Sequence, residues 1–172
     1  MGINRCRLPA GMGGHMSLVV RRATIDDADA YIPMARNFIS SLPTKDIIPF
    51  DEEAFRAFYA GAMQNPDLSA WIAEYDGVAI GGAGALAFPM YFNPAYISVQ
   101  EIWWWLEPEA RGKGAGKAMY QQIENWAAER GAKTLVMVAL ENDKTRQFEN
   151  LYARQGFKPM ERTFFREVVT WQ

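Results

Sequence analysis

The chain has 172 residues, of which 49% are apolar and 13% aromatic, so its length and composition favour one domain with a sizeable core. Its formal net charge is −2, without the basic excess that is typical of nucleic-acid-binding proteins. No apolar run reaches the roughly 18 residues that a membrane-spanning helix requires. The single cysteine excludes an internal disulfide and favours a cytoplasmic location.

Residues 1–16 are predicted to form a flexible leader in front of a single domain at 17–172. The leader has glycines and arginines but lacks the apolar stretch of a signal peptide. It also contains Cys6 and His15, the only cysteine and the only histidine. The domain therefore lacks the ligands of a structural metal site, and it offers neither a cysteine nor a histidine for covalent catalysis.

The first part of the domain predicts a strand followed by two helices. Residues 17–24 form the strand, and Thr24 with Asp27 is typical of a capped helix start. Apolar residues at helical spacing follow, and Pro33 within them is expected to kink the first helix or shift its start. The second helix is predicted over 51–64, with acidic residues in its first turn, where the helix dipole favours them.

The centre of the chain changes from helical to strand-like spacing. Strands are predicted over 68–75 and 78–88, joined by the Asp-Gly turn at 76–77. The glycines of the second strand indicate a bulge or a close backbone approach. Residues 96–106, rich in tryptophan, are the most strongly strand-like segment of the chain.

The remaining elements are a helix over 114–130, a strand over 133–140, a helix over 142–155 and strands over 157–160 and 162–171. The order is therefore β-α-α-β-β-β-α-β-α-β-β, which predicts an α/β fold with a mixed sheet. The strand–helix–strand unit that begins at 96–106 is expected to form a parallel pair through a right-handed crossover.

The segment "RGKGAGK" at 111–117 lies between that strand and its helix. Glycines permit close backbone approach, and a helix N-terminus favours an anion, so the segment predicts a phosphate site. It is not a P-loop, because Arg111 replaces the first glycine and Ala118 replaces the magnesium-binding hydroxyl. It is not a Rossmann fingerprint either, because Gly116 comes one residue early. Another kind of nucleotide binder remains an alternative.

The pattern Arg111-x-x-Gly114-x-Gly116, between a strand and a helix, resembles the pyrophosphate signature of the GNAT superfamily of acetyl-CoA-dependent N-acetyltransferases. The runs "LEPEARGKGAGKAM" and "LYARQGF" and the element order also resemble this family, from about residue 18 to 171. The resemblance implies the GNAT acyltransferase fold, with acetyl-CoA as the co-substrate.

By this resemblance, backbone N–H groups of the glycine segment hold the pyrophosphate, with added charge from its cations. A strand edge carries the pantetheine arm, in the way that a peptide adds to a sheet. The implied contacts are Trp104, Leu106, Arg111, Gly112, Lys113, Gly114, Ala115, Gly116, Lys117 and Asn142. In the family, an asparagine usually lies about seven residues before the tyrosine that is found near the CoA sulfur. Here Asn142 lies ten residues before Tyr152.

Two residues are candidates for acid–base catalysis. Glu101 corresponds to a glutamate that family members often carry, and strand alternation places it on the same face as Trp103 and Trp105. Partial desolvation there would raise its pKa toward that of a useful base. Tyr152 resembles the family tyrosine near the CoA sulfur. The structural alternatives are a salt-bridged glutamate and a core tyrosine.

The sequence therefore predicts direct, ternary-complex transfer of an acetyl group to a primary amine, without a covalent enzyme intermediate. The alternative is a non-catalytic acyl-CoA-binding or interaction module with the same fold. The acceptor is a small molecule or a protein, and family analogy assigns its recognition to loops 40–50 and 159–164. The segments "MYFNPAY" and "VVTW" are candidates for a homodimer contact.

Overall fold

The computed structural model describes residues 17–141 and 145–168, so the predicted leader at 1–16 lies outside the described residues. The elements are β1 Leu18–Arg22, α1 Ala28–Ser40, α2 Glu52–Gln64, β2 Leu68–Tyr75, β3 Val78–Met90, β4 Asn93–Leu106, α3 Ala115–Glu129, β5 Thr134–Val136 and α4 Thr145–Arg154. Most bounds agree with the predicted ones within a few residues, and β5 is the main exception.

The five strands form one sheet in the order β1-β2-β3-β4-β5. The first four strands pair antiparallel in sequence order. Strand β5 returns through α3 and pairs parallel with β4. The predicted mixed α/β sheet and its parallel strand–helix–strand unit are therefore confirmed.

Helices cover both faces of the sheet. On one face, the buried side of α3, including Met119 and Ile123, packs with Trp71 and Val99. On the other face, α1 and α2 contribute a smaller aromatic cluster of Tyr31, Met34 and Tyr59, together with Ile72 and partly buried Trp103 and Trp105. The sheet thus separates two cores, and each side of β4 contributes to a different one.

The start of α1 follows the predicted capping pattern. The Asp27 carboxylate accepts from the Thr24 backbone N–H at 2.7 Å, and a 3-10 turn at Ile25–Asp27 leads into the helix. Pro33 lies inside α1, which nevertheless begins at Ala28. The proline therefore does not shift the helix start.

The glycines of β3 allow two aromatic rings to lie against the backbone of the sheet. A Cβ atom at Gly82 would come within 2.6 Å of the Tyr31 ring, and one at Gly84 would overlap the indole of Trp103. Close backbone approach, one of the two predicted meanings of these glycines, is therefore confirmed.

Replacing Gly84 with alanine is expected to destabilise the fold by about 1–3 kcal/mol, because the Trp103 indole must move in a packed layer. Urea unfolding measures the change. Gly61→Ala in α2 is the matched control: nothing lies within 4 Å of its added Cβ, so it should stabilise by roughly 0.5–1 kcal/mol. Equal midpoints for the two variants would contradict the assigned role of Gly84.

At the centre of its ladder with β3, strand β4 carries one extra residue. Gly84 pairs with Trp103 and Ala85 pairs with Glu101, so Ile102 forms a β-bulge. A bulge bends the strand and interrupts side-chain alternation. The bulge therefore determines which face each side chain of the central segment of β4 occupies.

The two predicted C-terminal strands are not observed where the chain is described, because residues 157–168 form no strand. Aromatic and charged residues fall on both alternating faces of this segment, so neither face is uniformly apolar and no register is specified. Phe164, Phe165 and Val168 are all exposed. Residues 169–172, the rest of the second predicted strand, lie outside the described part.

Among the described residues, no helix combines the length and the apolar character needed to cross a membrane.

Candidate active site

The central feature of the site is the separation of β4 from β5. Their parallel ladder ends at the pair Gln100 and Val136, although β4 continues to Leu106. Strand β5 is therefore shorter than the predicted 133–140. Beyond Val136 its backbone no longer follows β4, and one edge of β4 is left open.

The open edge of β4 offers backbone groups at alternate residues. The N–H of Glu107 donates to the carbonyl of Ile80 on β3 at 2.9 Å, so Glu107 faces β3. Since backbone groups alternate along an antiparallel strand, those of Leu106 and Trp104 face the opening. These are the two β4 residues that the family resemblance implies for an extended, amide-bearing ligand.

The glycine segment turns directly into α3. Gly112 has φ 77° and Gly114, the residue that caps α3, has φ 92°, a left-handed conformation that suits glycine. Among the described residues, the backbone N–H groups of 112–117 donate to no acceptor. Together with the positive end of the helix dipole, these N–H groups form a concentrated anion-binding surface.

Packing fixes the position of this segment. The Tyr75 hydroxyl donates to the carbonyl of Lys113 at 2.6 Å, and Ala115 is fully buried. A Cβ atom at Gly116 would lie 3.5 Å from Leu106 and 3.6 Å from Trp104, so the start of α3 sits close to the end of β4. The N–H groups are therefore held in place next to the open strand edge.

The three cations of the segment differ in their surroundings. Arg111 donates through Nε to the Leu106 carbonyl at 3.0 Å, and its guanidinium carbon lies 5.0 Å from the Trp105 ring centroid. Lys113 and Lys117 are exposed and form no ion pair with a described residue. The lysines can therefore add mobile charge, whereas Arg111 holds the strand end.

Glu101 is a buried carboxylate at the point where the strands separate. It is 5% exposed, and its Oε2 accepts from the N–H of Val138 at 3.1 Å. Burial raises the pKa of Glu101 to about 7, and the hydrogen bond from Val138 lowers it by a smaller amount. A group with this pKa can accept a proton near neutral pH.

The prediction that Glu101 lies on the same face of the strand as Trp103 and Trp105 is wrong. Its cross-strand partner Ala85 belongs to the core on the α3 side, whereas Trp103 and Trp105 pack on the α1 side. The bulge at Ile102 breaks the alternation on which the prediction depended. Glu101 is therefore desolvated by burial at the strand opening and does not share a face with the tryptophans.

Tyr152, on α4, meets the same opening from the other side. Its hydroxyl donates to the carbonyl of Val138 at 3.1 Å. Burial, with a smaller contribution from the negative charge of Glu101, raises the pKa of Tyr152 well above its usual value. The hydroxyl is therefore protonated at neutral pH and can act as a proton donor.

Val138 joins the two candidates, because its N–H binds Glu101 and its carbonyl binds Tyr152. Sequence reasoning missed this residue, which acts through backbone groups that every residue has. It also missed Tyr75, whose support of the glycine segment depends on a contact 38 residues away. No local signal in the sequence marks either role.

Other predicted site residues are not brought into this arrangement. Asn142 lies outside the described residues, as do Cys6 and His15. Within 17–141 and 145–168, no cluster of three or more histidine, cysteine, aspartate or glutamate residues could hold a metal ion.

The sequence profile of the acetyltransferase (GNAT) family matches residues 34–157, which include every described residue of the site. None of the curated protein sequences matches the chain significantly.

Solved structures share the fold at low sequence identity. One is a ribosomal-protein-alanine N-acetyltransferase from Brucella melitensis biovar Abortus 2308, at TM-score 0.69 and 18% identity, covering 88% of this chain and 99% of that one. A second is AAC(6')-Iy with a bisubstrate analogue, CoA-S-monomethyl-acetylneamine, at TM-score 0.67 and 21% identity, with coverage of 90% and 99%. A third, a predicted acetyltransferase from Clostridium acetobutylicum with acetyl-CoA, has TM-score 0.68, 21% identity and coverage of 88% and 96%.

Proposed function

Because the chain belongs to the GNAT family of acetyltransferases, we propose that it transfers the acetyl group of acetyl-CoA directly to a primary amine. The observation that carries this proposal is the meeting of Glu101 and Tyr152 at Val138, where β4 and β5 separate. A proton acceptor and a proton donor thus lie beside an open strand edge and an anion-binding helix start.

In this proposal, Glu101 receives the proton that the attacking amine loses. The nitrogen lone pair forms the new N–C bond at the thioester carbonyl, and the C–S bond then breaks. Buried Glu101, with a pKa of about 7, is substantially ionised at neutral pH and can accept the proton directly or through one water.

Tyr152 supplies a proton to the departing sulfur. Its raised pKa keeps the hydroxyl protonated until the thiolate forms. The proton that Glu101 took from the amine then passes to the Tyr152 phenolate, which restores both residues. Neither residue forms a covalent bond with the acetyl group, so the reaction needs both substrates bound at once.

The co-substrate contacts are assigned to the same opening. We propose that the N–H groups of 112–117 bind the pyrophosphate, with charge from Lys113, Lys117 and Arg111. Trp104 offers its outward-facing N–H and carbonyl, and Leu106 its N–H, to the amides of the pantetheine arm, since the Leu106 carbonyl already accepts from Arg111. Asn142 remains a proposed contact on family resemblance alone.

The test combines binding and turnover. Thermal shift with acetyl-CoA establishes binding, and release of free CoA is then measured over a panel of primary amines. We expect amine-dependent release whose initial rates give intersecting double-reciprocal lines when both substrates are varied, as a ternary complex requires. Binding without release for any amine would instead support the non-catalytic acyl-CoA-binding module, and competition by ATP but not CoA would support a nucleotide binder.

Replacing Tyr152 with phenylalanine is expected to lower kcat by about 10²-fold, because the departing thiolate loses its proton donor. The affinity for acetyl-CoA, measured by calorimetry, should change little. Tyr120→Phe is the matched control, since the Tyr120 hydroxyl donates to Glu124 at 3.0 Å within α3 and its ring reaches Tyr152 only through Phe157. An unchanged kcat for Y152F would remove Tyr152 from the mechanism.

We also propose that residues 17–172 act as one catalytic domain in the cytoplasm. The family match over 34–157 and the single cysteine support this assignment.

A homodimer contact through the β3–β4 turn is supported by the exposure of Tyr91 and Phe92, at 94% and 69%. Sedimentation of a variant with both aromatics replaced by serine tests that contact.

A further inference from the structure

A cavity of about 250 Å³ lies between α1, α2 and the face of the sheet opposite α3. Its wall includes Tyr31, Phe38, Phe58, Ile102, Trp103 and Trp105. The cavity is open to solvent rather than sealed in the core, because Phe58 is 53% exposed and Ile102 is 37% exposed. A ligand can therefore enter without unfolding either helix.

Aromatic rings from three elements form the wall. The Trp105 ring meets Phe38 of α1 edge-on at 6.1 Å, and the Trp103 ring meets Phe58 of α2 edge-on at 6.3 Å. Gly82 leaves room for the Tyr31 ring against β3, and Gly84 does so for the Trp103 ring. An occupant of this cavity would be surrounded by flat apolar surfaces, which favour stacking with another flat apolar group.

Where the chain is described, the wall contains no charged side chain. The indole N–H groups of Trp103 and Trp105 are buried donors in the wall that lack a partner among the described residues. An acceptor with several ammonium or hydroxyl groups would lose more hydration there than these two donors can replace, which costs free energy. An apolar group instead gains about 25 cal/mol for each Å² removed from water. The cavity thus selects against polycations and sugars and in favour of apolar groups.

The cavity and the candidate base are adjacent in the chain. Ile102, at the cavity wall, directly follows Glu101, and consecutive Cα atoms are about 3.8 Å apart. The sheet is open here, because the ladder between β4 and β5 ends at Gln100 and Val136. Glu101 itself faces the α3 side, so an amine joined through a short alkyl chain to a group in the cavity would reach it by passing Ile102 through the gap between β4 and β5.

Accordingly, we infer that this cavity is the acceptor site and that it selects primary amines joined through a short alkyl chain to a flat apolar group. The inference depends on the proposed acetyl transfer and adds the substrate class. It assigns acceptor selection to α1, α2 and β4. The loops 40–50 and 159–164, where they are described, contribute no residue to the wall.

The first experiment compares kcat/KM for CoA release with phenethylamine, ethanolamine and spermidine. Phenethylamine is expected to exceed each polar amine by at least about tenfold, the effect of roughly 1.4 kcal/mol of apolar burial. Phe58→Asp introduces a charge at the exposed end of the wall and should lower the phenethylamine-to-ethanolamine ratio at least about tenfold. Phe165→Asp makes the same change at a phenylalanine of similar exposure outside the wall and should leave the ratio unchanged.

A second experiment separates the two proposals. Calorimetry measures phenethylamine binding to the wild type and to F58D in the presence of CoA. Weaker binding to F58D supports the cavity, and if no amine then releases CoA, acetyl transfer fails while the cavity assignment stands. Turnover with polar amines at equal or higher kcat/KM, or the same ratio in F58D and F165D, would overturn the cavity assignment and leave acetyl transfer intact.

Discussion

Replacing Glu101 with glutamine is expected to lower kcat/KM for acetyl transfer by about 10²–10⁴-fold, the usual contribution of a positioned base. Glutamine keeps the size of the side chain and can still accept from the Val138 N–H, but it cannot take the proton of the amine. Initial rates of CoA release, measured under subsaturating conditions, determine the loss.

The pH profile gives an independent readout of the same residue. The base acts in its ionised form, and its pKa is raised to about 7. Wild-type kcat/KM should therefore rise with pH through about 7, whereas the residual activity of E101Q should lack this limb. An identical pH profile in both proteins would contradict the role of Glu101.

Stability provides the control for E101Q. The folded state raises the pKa of Glu101 from 4.5 to about 7, so the native protein binds this proton more tightly than the unfolded chain. The free energy of unfolding should therefore fall as pH rises from about 4.5 to about 7. Neutral glutamine escapes this penalty, so E101Q should be more stable than the wild type at pH 8, by up to about 3 kcal/mol. Lower stability of E101Q at pH 8 would indicate that its activity loss reflects misfolding.

Replacing Gly114 with valine is expected to weaken acetyl-CoA binding by about tenfold to a hundredfold. Gly114 has φ 92°, which a β-branched residue cannot adopt without strain, so the cap of α3 must change shape. The N–H groups that follow would then lose their common direction, and each lost bond to a charged phosphate costs about 1.5–3 kcal/mol. Calorimetry with acetyl-CoA measures the change.

The other end of the same helix supplies the matched control. Gly131 has φ 66° and nothing within 4 Å of an added Cβ, as is nearly true of Gly114. Gly131→Val should therefore destabilise the fold by a similar amount while leaving acetyl-CoA affinity unchanged. Normal affinity in G114V, or equal losses of affinity in both variants, would refute the assignment of the glycine segment.

Local patterns were sufficient to predict most of the fold. Periodicity and helix-end signals together predicted all four α-helices of the described part, and the Asp-Gly turn identified the β2–β3 hairpin with its correct bounds at Tyr75 and Val78. Glycines after a strand indicated the start of α3, because their conformational and dipole requirements are local.

Features that depend on neighbouring strands were harder to predict. The bulge at Ile102 arises from the register between β4 and β3, which a single strand does not encode. Strand β5 ends where its backbone separates from that of β4, at Val136. The apolar residues continue to Leu140, so the sequence alone predicted a longer strand. The family resemblance identified Glu101 as a candidate base with a pKa raised by desolvation, but the face on which it is buried became clear only from the fold.

Because Ile102 is an extra residue in β4, we expect the number of residues in this strand, and not only their identity, to affect activity. Removing Ile102 would let β4 run straight while Glu101 and Trp103 kept their partners on β3. The unbent strand could then extend its ladder with β5 and occupy the edge where the thioester would otherwise lie. We expect a variant that lacks Ile102 to lose acetyl-CoA binding through closure of this edge, a loss that no inspection of side-chain chemistry would reveal.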